Sequence, residues 1–408
     1  MREPGFRARV FGDASGAVAD LGLLIPIAAA LIVENGLDAG TVLVGAGALY
    51  VGAGMYFKVP VPVQPIKAAA AIAIARDLPP ATIGAAGLLL GFILVTLSAT
   101  GAARFLVRVF TRPIVRGLQL GVGLLLLESA LRLPRPPVGP ATWTAVALTV
   151  LLLVMAARNR RWPLALGIVA GGVLWSVLSG PYAVSLEPEL WRPTFLTEVF
   201  HPAVLLSALT LLVIPQIPLT FGNAVVALTD LEHRYFGDQA RRVSPTSVSL
   251  SCGLANVVVG SLGGMPLCHG SGGLTAHYRS GARTYRMNLL IGLPLLVLGL
   301  GFGATAFSAL GLIPVVVLAG LLAFTGVMHS LLVADLRGYD LAVALGMGAV
   351  GLWTSNLAVS LGLGLMLVWL PSVVQEMRRR RKRVRRSDGG VGRVASAKLN
   401  QTSDRQRP

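Results

Sequence analysis

Apolar stretches separated by short polar, mostly basic links run through nearly the whole chain. Those over 17–33, 41–57, 81–103, 114–131, 141–156, 163–179, 203–228, 246–262, 288–309, 311–332, 339–353 and 356–373 are each roughly long enough to cross hydrocarbon as a helix. Two more, 65–75 and 270–277, are too short for a crossing. Each follows an approach, "VPVPVQP" or "HGSGG", that cannot be regular helix. Read as half-helices, they bring the total to about fourteen membrane elements, an all-α integral membrane fold.

The two short pieces share a pattern. Pro62-Val63-Gln64 and Pro266-Leu267-Cys268 each join a proline, an apolar and a polar residue ahead of a short helix, and they stand 204 positions apart (266 minus 62), half the chain. Each piece is preceded by two crossings and followed by four. The halves, 1–201 and 202–376, thus hold about seven elements each and lie in opposite orientation, the signature of an inverted repeat whose discontinuous helices meet near the midplane and form a substrate site.

Composition agrees with membrane burial: 54% of residues are hydrophobic and 13% charged, with mean hydropathy +0.72. The net charge of +17 reports topology more than a partner. With about fourteen elements, links holding Lys58, Arg104, Arg112, Arg116, Arg158, Arg241, Arg283 and Arg337 share one side with both termini, while the longest opposite loop carries Glu187, Glu189 and Glu198. Basic loops stay inside, so both termini are expected in the cytoplasm, in a multi-pass protein of a bacterial inner membrane. The basic tail, 377–408, reads as disordered and in contact with membrane lipids, not nucleic acid. No cleavable signal peptide is expected. Cys252 and Cys268 stand sixteen apart without a partner pattern, so neither a disulfide nor a metal site is expected, and no cofactor.

The half-helices carry the candidate chemistry. Residues before a proline avoid the helical region, and Pro65 suits a first helical turn, so the chain enters the membrane extended and starts a helix inside it. Such a start leaves unpaired N–H groups and a positive dipole end in low dielectric, which an anion or polar groups must meet. Gly270 and Gly272 allow close approach to the second start, and Ser271 is a candidate cap. Lys67, three residues after Gln64, is the basic residue placed well inside a span; it reads as the counter-charge of a divalent oxyanion, or as a lysine snorkelling to the interface. Asp13 and Asp20, seven apart on one predicted helix face, are candidates for pairing with Lys67 or carrying a coupling proton, and Asp13 alternatively caps its helix. Gln216, Thr220 and Asn223, at i, i+4 and i+7 of a span expected to break at Pro215 and Pro218, form a polar face that either lines the site or joins helices. His269 has no second ligand at metal spacing and reads as a polar contact at the second break. Glu128 reads as the i+4 partner of Arg132.

The blocks "VPVQPIKAAAAIA", "PQIPLTFGNAVVAL" and "VSPTSVSLSCGLANVVVGSLGGMPLCHGSGGLTAHYRSGAR" resemble the molybdate transporter family, a branch related to SulP-type sulfate permeases. The resemblance implies a seven-plus-seven inverted repeat with core and gate domains, a site between the half-helices, and high-affinity uptake of a tetrahedral oxyanion. It places Gln64, Lys67, Cys268, His269, Gly270 and Ser271 at the site. SulP-type permeases commonly end in a cytoplasmic STAS domain; the tail after 373 is too short for one, so none is expected.

A nucleobase-cation symporter of similar fold would hold its base with glutamates where Asn223 and Ser271 stand. A membrane-embedded enzyme would need a nucleophile–base pair or metal cluster, and no recognisable spacing of either occurs. Secondary active transport of molybdate or sulfate is the reading preferred. The sequence leaves open which anion is taken, whether transport is proton symport through Asp20, exchange or uniport, and whether the chain forms the homodimer usual in related folds.

Overall fold

The computed structural model describes residues 6–17, 20–101, 110–132, 171, 174, 187–306 and 315–370. The predicted crossings at 141–156 and 163–179 and the tail 377–408 lie outside the described residues. The chain divides at Leu361, and the fold below is that of the first unit; the second, from Gly362, is described through Leu370, where it is helical.

Helices α1 (Phe6–Ala17), α2 (Leu21–Val33) and α3 (Ala39–Phe57) come first. The chain then runs extended into β1 (Gln64–Pro65) and restarts as α4 (Lys67–Ala75), followed by α5 (Pro80–Thr100) and α6 (Arg112–Arg132). Later come α7 (Pro202–Ala240), α8 (Pro245–Ser261), β2 (Leu267–Cys268) and α9 (Ser271–Arg279). The last three are α10 (Arg286–Phe302), α11 (Val315–Ser330) and α12 (Gly338–Thr354). Among the described residues, five helical stretches are long and apolar enough to cross a membrane: α3, α5, α6, α7 and the run Arg286–Thr305 that contains α10.

Local chemistry explains the starts. Asp38 caps α3 by accepting from Thr41 N at 2.7 Å; Ser244 and Ser247 form a reciprocal capping box ahead of α8, with Pro245 in its first turn. The predicted crossing at 17–33 is corrected: α1 ends at Ala17 and α2 begins after Asp20, so Asp13 and Asp20 do not share one helix face. The break predicted at Pro215 and Pro218 is also corrected. Helix α7 runs through both prolines by widening into π-helical turns at Leu209–Val213 and Thr220–Ala227, where Ile214 N reaches back to Leu209 O. A proline removes one i−4 donor, and a wider turn re-pairs the carbonyls it would orphan.

Several helix pairs pack through glycines. A Cβ on Gly84 of α5 would lie 2.7 Å from Gly260 O of α8, and one on Gly47 of α3 would lie 2.8 Å from Gly292 O of α10. Small residues let backbones approach where no hydrophobic drive separates helix from lipid. Helix α6 packs against both α11 and α12.

Extended backbone inside a membrane must find partners within the protein. The two approaches cross as an antiparallel pair, Gln64 opposite Cys268 and Pro65 opposite Leu267, and Ile66 N donates to Pro266 O at 3.0 Å. Two buried asparagines complete the pairing as if each were a short strand. Asn288 of α10 accepts from Val61 N at 3.0 Å and donates to Val61 O at 2.6 Å. Asn256 of α8 accepts from Leu267 N and donates to Leu267 O, both at 2.7 Å.

Candidate functional site

The β1–β2 crossing sets α4 and α9 starting from one place, and a chain of side chains joins them. Lys67 opens α4, and its Nζ donates to Gln64 Oε1 at 2.7 Å. Gln64 Nε2 lies 2.6 and 2.7 Å from the two oxygens of Asp20. Asp20 precedes α2 but makes no cap bond there, because its carboxylate turns to Gln64. Gln64 and Asp20 are buried and Lys67 is half-buried, so the amide and carboxylate of this chain lie out of water. Beyond Asp20, His277 Nε2 stands 3.9 Å from Oδ2.

Helix α9 supplies the other wall. A Cβ on Gly270 would collide with Gln64 Oε1, and one on Gly273 would lie 2.5 Å from both Asp20 Oδ2 and Gln64 Nε2. Glycine at these two positions lets α9 approach the chain. Gly272 does not take that part: it is exposed, and a side chain there meets nothing within 4 Å.

The first turn of α4 is not left open. Gln216 of α7 reaches across, its Oε1 accepting from Ala68 N at 3.0 Å and Ala69 N at 3.3 Å, while its Nε2 donates to Thr220 Oγ1 at 3.0 Å. A neutral amide dipole therefore occupies N–H groups that the sequence reading assigns to an anion. At the other start, Ser271 Oγ donates to Asn223 Oδ1 of α7, and α9 has no side-chain cap.

Between these groups lies a cavity of about 20 Å³, lined by Lys67, Gln216, Thr220, Asn223 and Cys268 and closed by Gln119 and Val122 of α6 and His329 of α11. That is room for about one water. Gln119 and His329 were not singled out by sequence reasoning. An ionisable group at membrane depth is a functional candidate by default, which is the signal that marks His329; Gln119, three residues after Arg116, carries no such signal. His329 Nδ1 donates to Thr325 O at 3.1 Å, and Gln119 Oε1 accepts from Arg116 Nη1 at 2.8 Å.

Two candidates sit elsewhere. His269 is fully buried with both ring nitrogens taken, Nδ1 donating to Pro62 O at 2.8 Å and Nε2 accepting from Ser251 Oγ at 2.9 Å. It fastens β2 to the opposite approach and does not line the cavity. Asp13 accepts from Arg283 N at 2.7 Å, Thr284 N at 2.9 Å and the Thr284 hydroxyl, holding the link before α10. Glu128 pairs with Arg132 at 2.5 Å, as its spacing predicts.

Comparison with known proteins bears on the family and the fold. The family model described as "Molybdate transporter of MFS superfamily" matches residues 12–126 and 208–328. Molybdate transporter 2 of Arabidopsis thaliana is 30% identical over 387 residues, covering 80% of each chain. Molybdate transporter 1 of the same plant is 32% identical over 388 residues, covering 81% of each. Among solved structures, the transmembrane domain of a cyanobacterial bicarbonate transporter, BicA, superposes with TM-score 0.63 at 19% identity, covering 89% of this chain and 98% of that one. The murine anion transporter Slc26a9, in its inward-facing state, gives TM-score 0.62 at 14% identity, covering 92% and 69%. The fold is of this anion-transporter type, and on the matched family model and the identity to its plant relatives the chain belongs to the molybdate transporter family.

Proposed function

We propose that the protein is a secondary active transporter that takes up a tetrahedral oxyanion, molybdate or sulfate, bound against Lys67 between the starts of α4 and α9. The observation that carries this reading is Lys67 lining a small cavity where α4 and α9 begin. Gln216, Thr220, Asn223, Cys268 and Ser271 then offer hydrogen bonds from one side, and Gln119 and His329 face them from the other. A dianion is larger than one water, so it enters only when α6 and α11 draw back from α4, α7 and α9, as a gate moving against a core. The rigid α4 side makes a fixed half-site, and Gln216 either shares the α4 N–H groups or yields them to the anion.

The inverted repeat is part of the proposal. The antiparallel crossing of β1 and β2 supports it. So does packing: α3 against α10 has its counterpart in α8 against α5, the exchange expected when two copies of a unit interlock. The excess of basic residues in the links assigned to the same side as both termini supports cytoplasmic termini in an inner membrane.

The test is uptake of radiolabelled molybdate, sulfate and uracil by the purified protein in one preparation of proteoliposomes. Saturable uptake of either oxyanion and none of uracil is expected. Failure to move either anion under any imposed ion gradient overturns the proposal.

A further inference from the structure

We infer that His277 and Asp20 together form the proton site that couples oxyanion uptake to a proton gradient. The inference rests on the transport reading above. His277 lies on α9, fully buried, and its Nδ1 donates to Gly16 O at the end of α1 at 2.8 Å. A carbonyl accepts only, so Nδ1 carries the hydrogen and the neutral ring presents a lone pair at Nε2. That atom has no hydrogen-bond partner and stands 3.9 Å from Asp20 Oδ2. A base without a partner therefore faces a carboxylate that is itself tied, through one amide, to the lysine of the anion site.

Charge balance gives the pair its task. Without substrate, the positive Lys67 and the negative Asp20 offset each other through Gln64. A bound dianion claims the lysine and leaves excess negative charge in low dielectric, where ionised groups are costly. One proton, shared between Asp20 and His277, takes the pair from −1 to neutral, and the two groups titrate as a unit. Anion binding thus favours proton binding, and by linkage the proton strengthens anion binding by the same factor.

Most surrounding titratable groups are engaged elsewhere; Glu232 of α7, buried with neither carboxyl oxygen bonded, is the exception. Lys67 of α4 reaches Asp20 through Gln64; Tyr50 of α3 and Cys268 of β2 lie in the same neighbourhood without bonding the carboxylate, the thiol turning to Pro65 O. On α1, Asp13 is held by Thr284 and by backbone N–H groups. From the part of α7 packed on α9, His233 bonds Val243 O, Tyr235 bonds Thr275, Asp230 pairs with Arg234, and Glu232 is buried. Arg283 bonds the carbonyls of Tyr278 and Ala282, and His329 of α11 faces the cavity. Among the described residues none of these bonds His277.

The test uses the full chain in proteoliposomes containing a pH-sensitive dye, with calorimetry of molybdate binding at several pH values. His277→Asn keeps an amide donor near Gly16 O and removes the titrating nitrogen; His277→Gln and Asp20→Asn are measured beside it. Wild type should acidify the lumen as molybdate enters, and its affinity should rise by up to about tenfold per pH unit lowered, the limit for one linked proton. Each folded variant should bind molybdate with an affinity that no longer follows pH and should lose molybdate-linked acidification at least about tenfold. A folded His277 variant that keeps both behaviours overturns the inference, as does wild-type molybdate uptake without proton entry. Wild type that moves no oxyanion overturns the transport reading instead.

Discussion

Gln64→Leu removes the link on which the junction depends while nearly keeping its volume. It severs three hydrogen bonds, from Lys67 Nζ at 2.7 Å and to the Asp20 oxygens at 2.6 and 2.7 Å. Gln64 is 2% exposed and Asp20 5%, so water does not take over the lost bonds. A hydrogen bond to a charged group contributes roughly 1.5–3 kcal/mol, and stranding one member of a buried charge network costs about 3–5 kcal/mol. The three bonds share one amide and do not add, so the expected loss of stability is about 3–5 kcal/mol. Gln64→Glu is the contrast. It keeps an acceptor for Lys67 but sets a second carboxylate against Asp20, so one proton must be held between them; it should fold better than the leucine variant and bind a dianion less well than wild type. Equilibrium unfolding in detergent gives the stability and calorimetry the molybdate affinity. A Gln64→Leu protein within about 0.5 kcal/mol of wild type, with equal affinity, refutes the reasoning.

Gly273→Ala should destabilise by about 1–3 kcal/mol through the clash with Asp20 and Gln64, while Gly272→Ala, facing open space, should stay within about 0.5 kcal/mol; unfolding of the two variants side by side decides. Gln216→Ala uncaps Ala68 N and Ala69 N and should cost about 1–3 kcal/mol, with molybdate restoring more of the melting temperature than it adds to wild type. Beyond α11, Arg116 and Arg112 hold the Asp335 carboxyl below its ordinary range through ion pairs at 2.6 and 2.7 Å. A carboxylate depressed in the folded state adds stability above its unfolded pKa and loses it as pH falls through the folded value. Asp335→Asn should therefore lower the melting temperature slightly near pH 7, and the difference from wild type should close as the pH is taken below about 4.

The start of α4 was legible because its cause is local: proline removes a donor and fixes φ wherever it occurs. The start of α9 was placed less well, because Gly272 and Gly273, read as part of a non-helical approach, lie inside its first turn behind Ser271. Pattern also brought Gln216, Thr220 and Asn223 to one cavity. It did so although Thr220 and Asn223 lie in a π-helical stretch of α7: Gln216 still reaches α4 while Asn223 meets Ser271 of α9. What failed was long-range pairing. The sequence around Asp20 carries no proline to announce that α1 and α2 are separate helices, nor anything to show that Asp20 meets Gln64 and Gly16 meets His277. His269 was assigned to the site from its place in the motif, yet its two bonds run to Pro62 and Ser251, which no spacing displays. Asn256 and Asn288 stand in ordinary apolar helices, and their part in closing the extended backbone appears only when the approaches they serve are folded against them. Gln119 and His329 come from helices far apart in the chain and face the half-helices only across the assembled cavity.

Molybdate binding to wild type, Lys67→Arg and Lys67→Met, by calorimetry on protein shown to be folded, bears most directly on the site. A unit charge about 4 Å from an anion contributes roughly 4 kcal/mol at an effective dielectric near 20, before desolvation is subtracted. If a quarter of that survives, Lys67→Met binds about fivefold or more weakly, and Lys67→Arg, which keeps the charge and alters the donor geometry, falls between. Wild-type affinity in Lys67→Met would contradict the placement of the oxyanion at Lys67 and leave the lysine as a structural partner of Gln64.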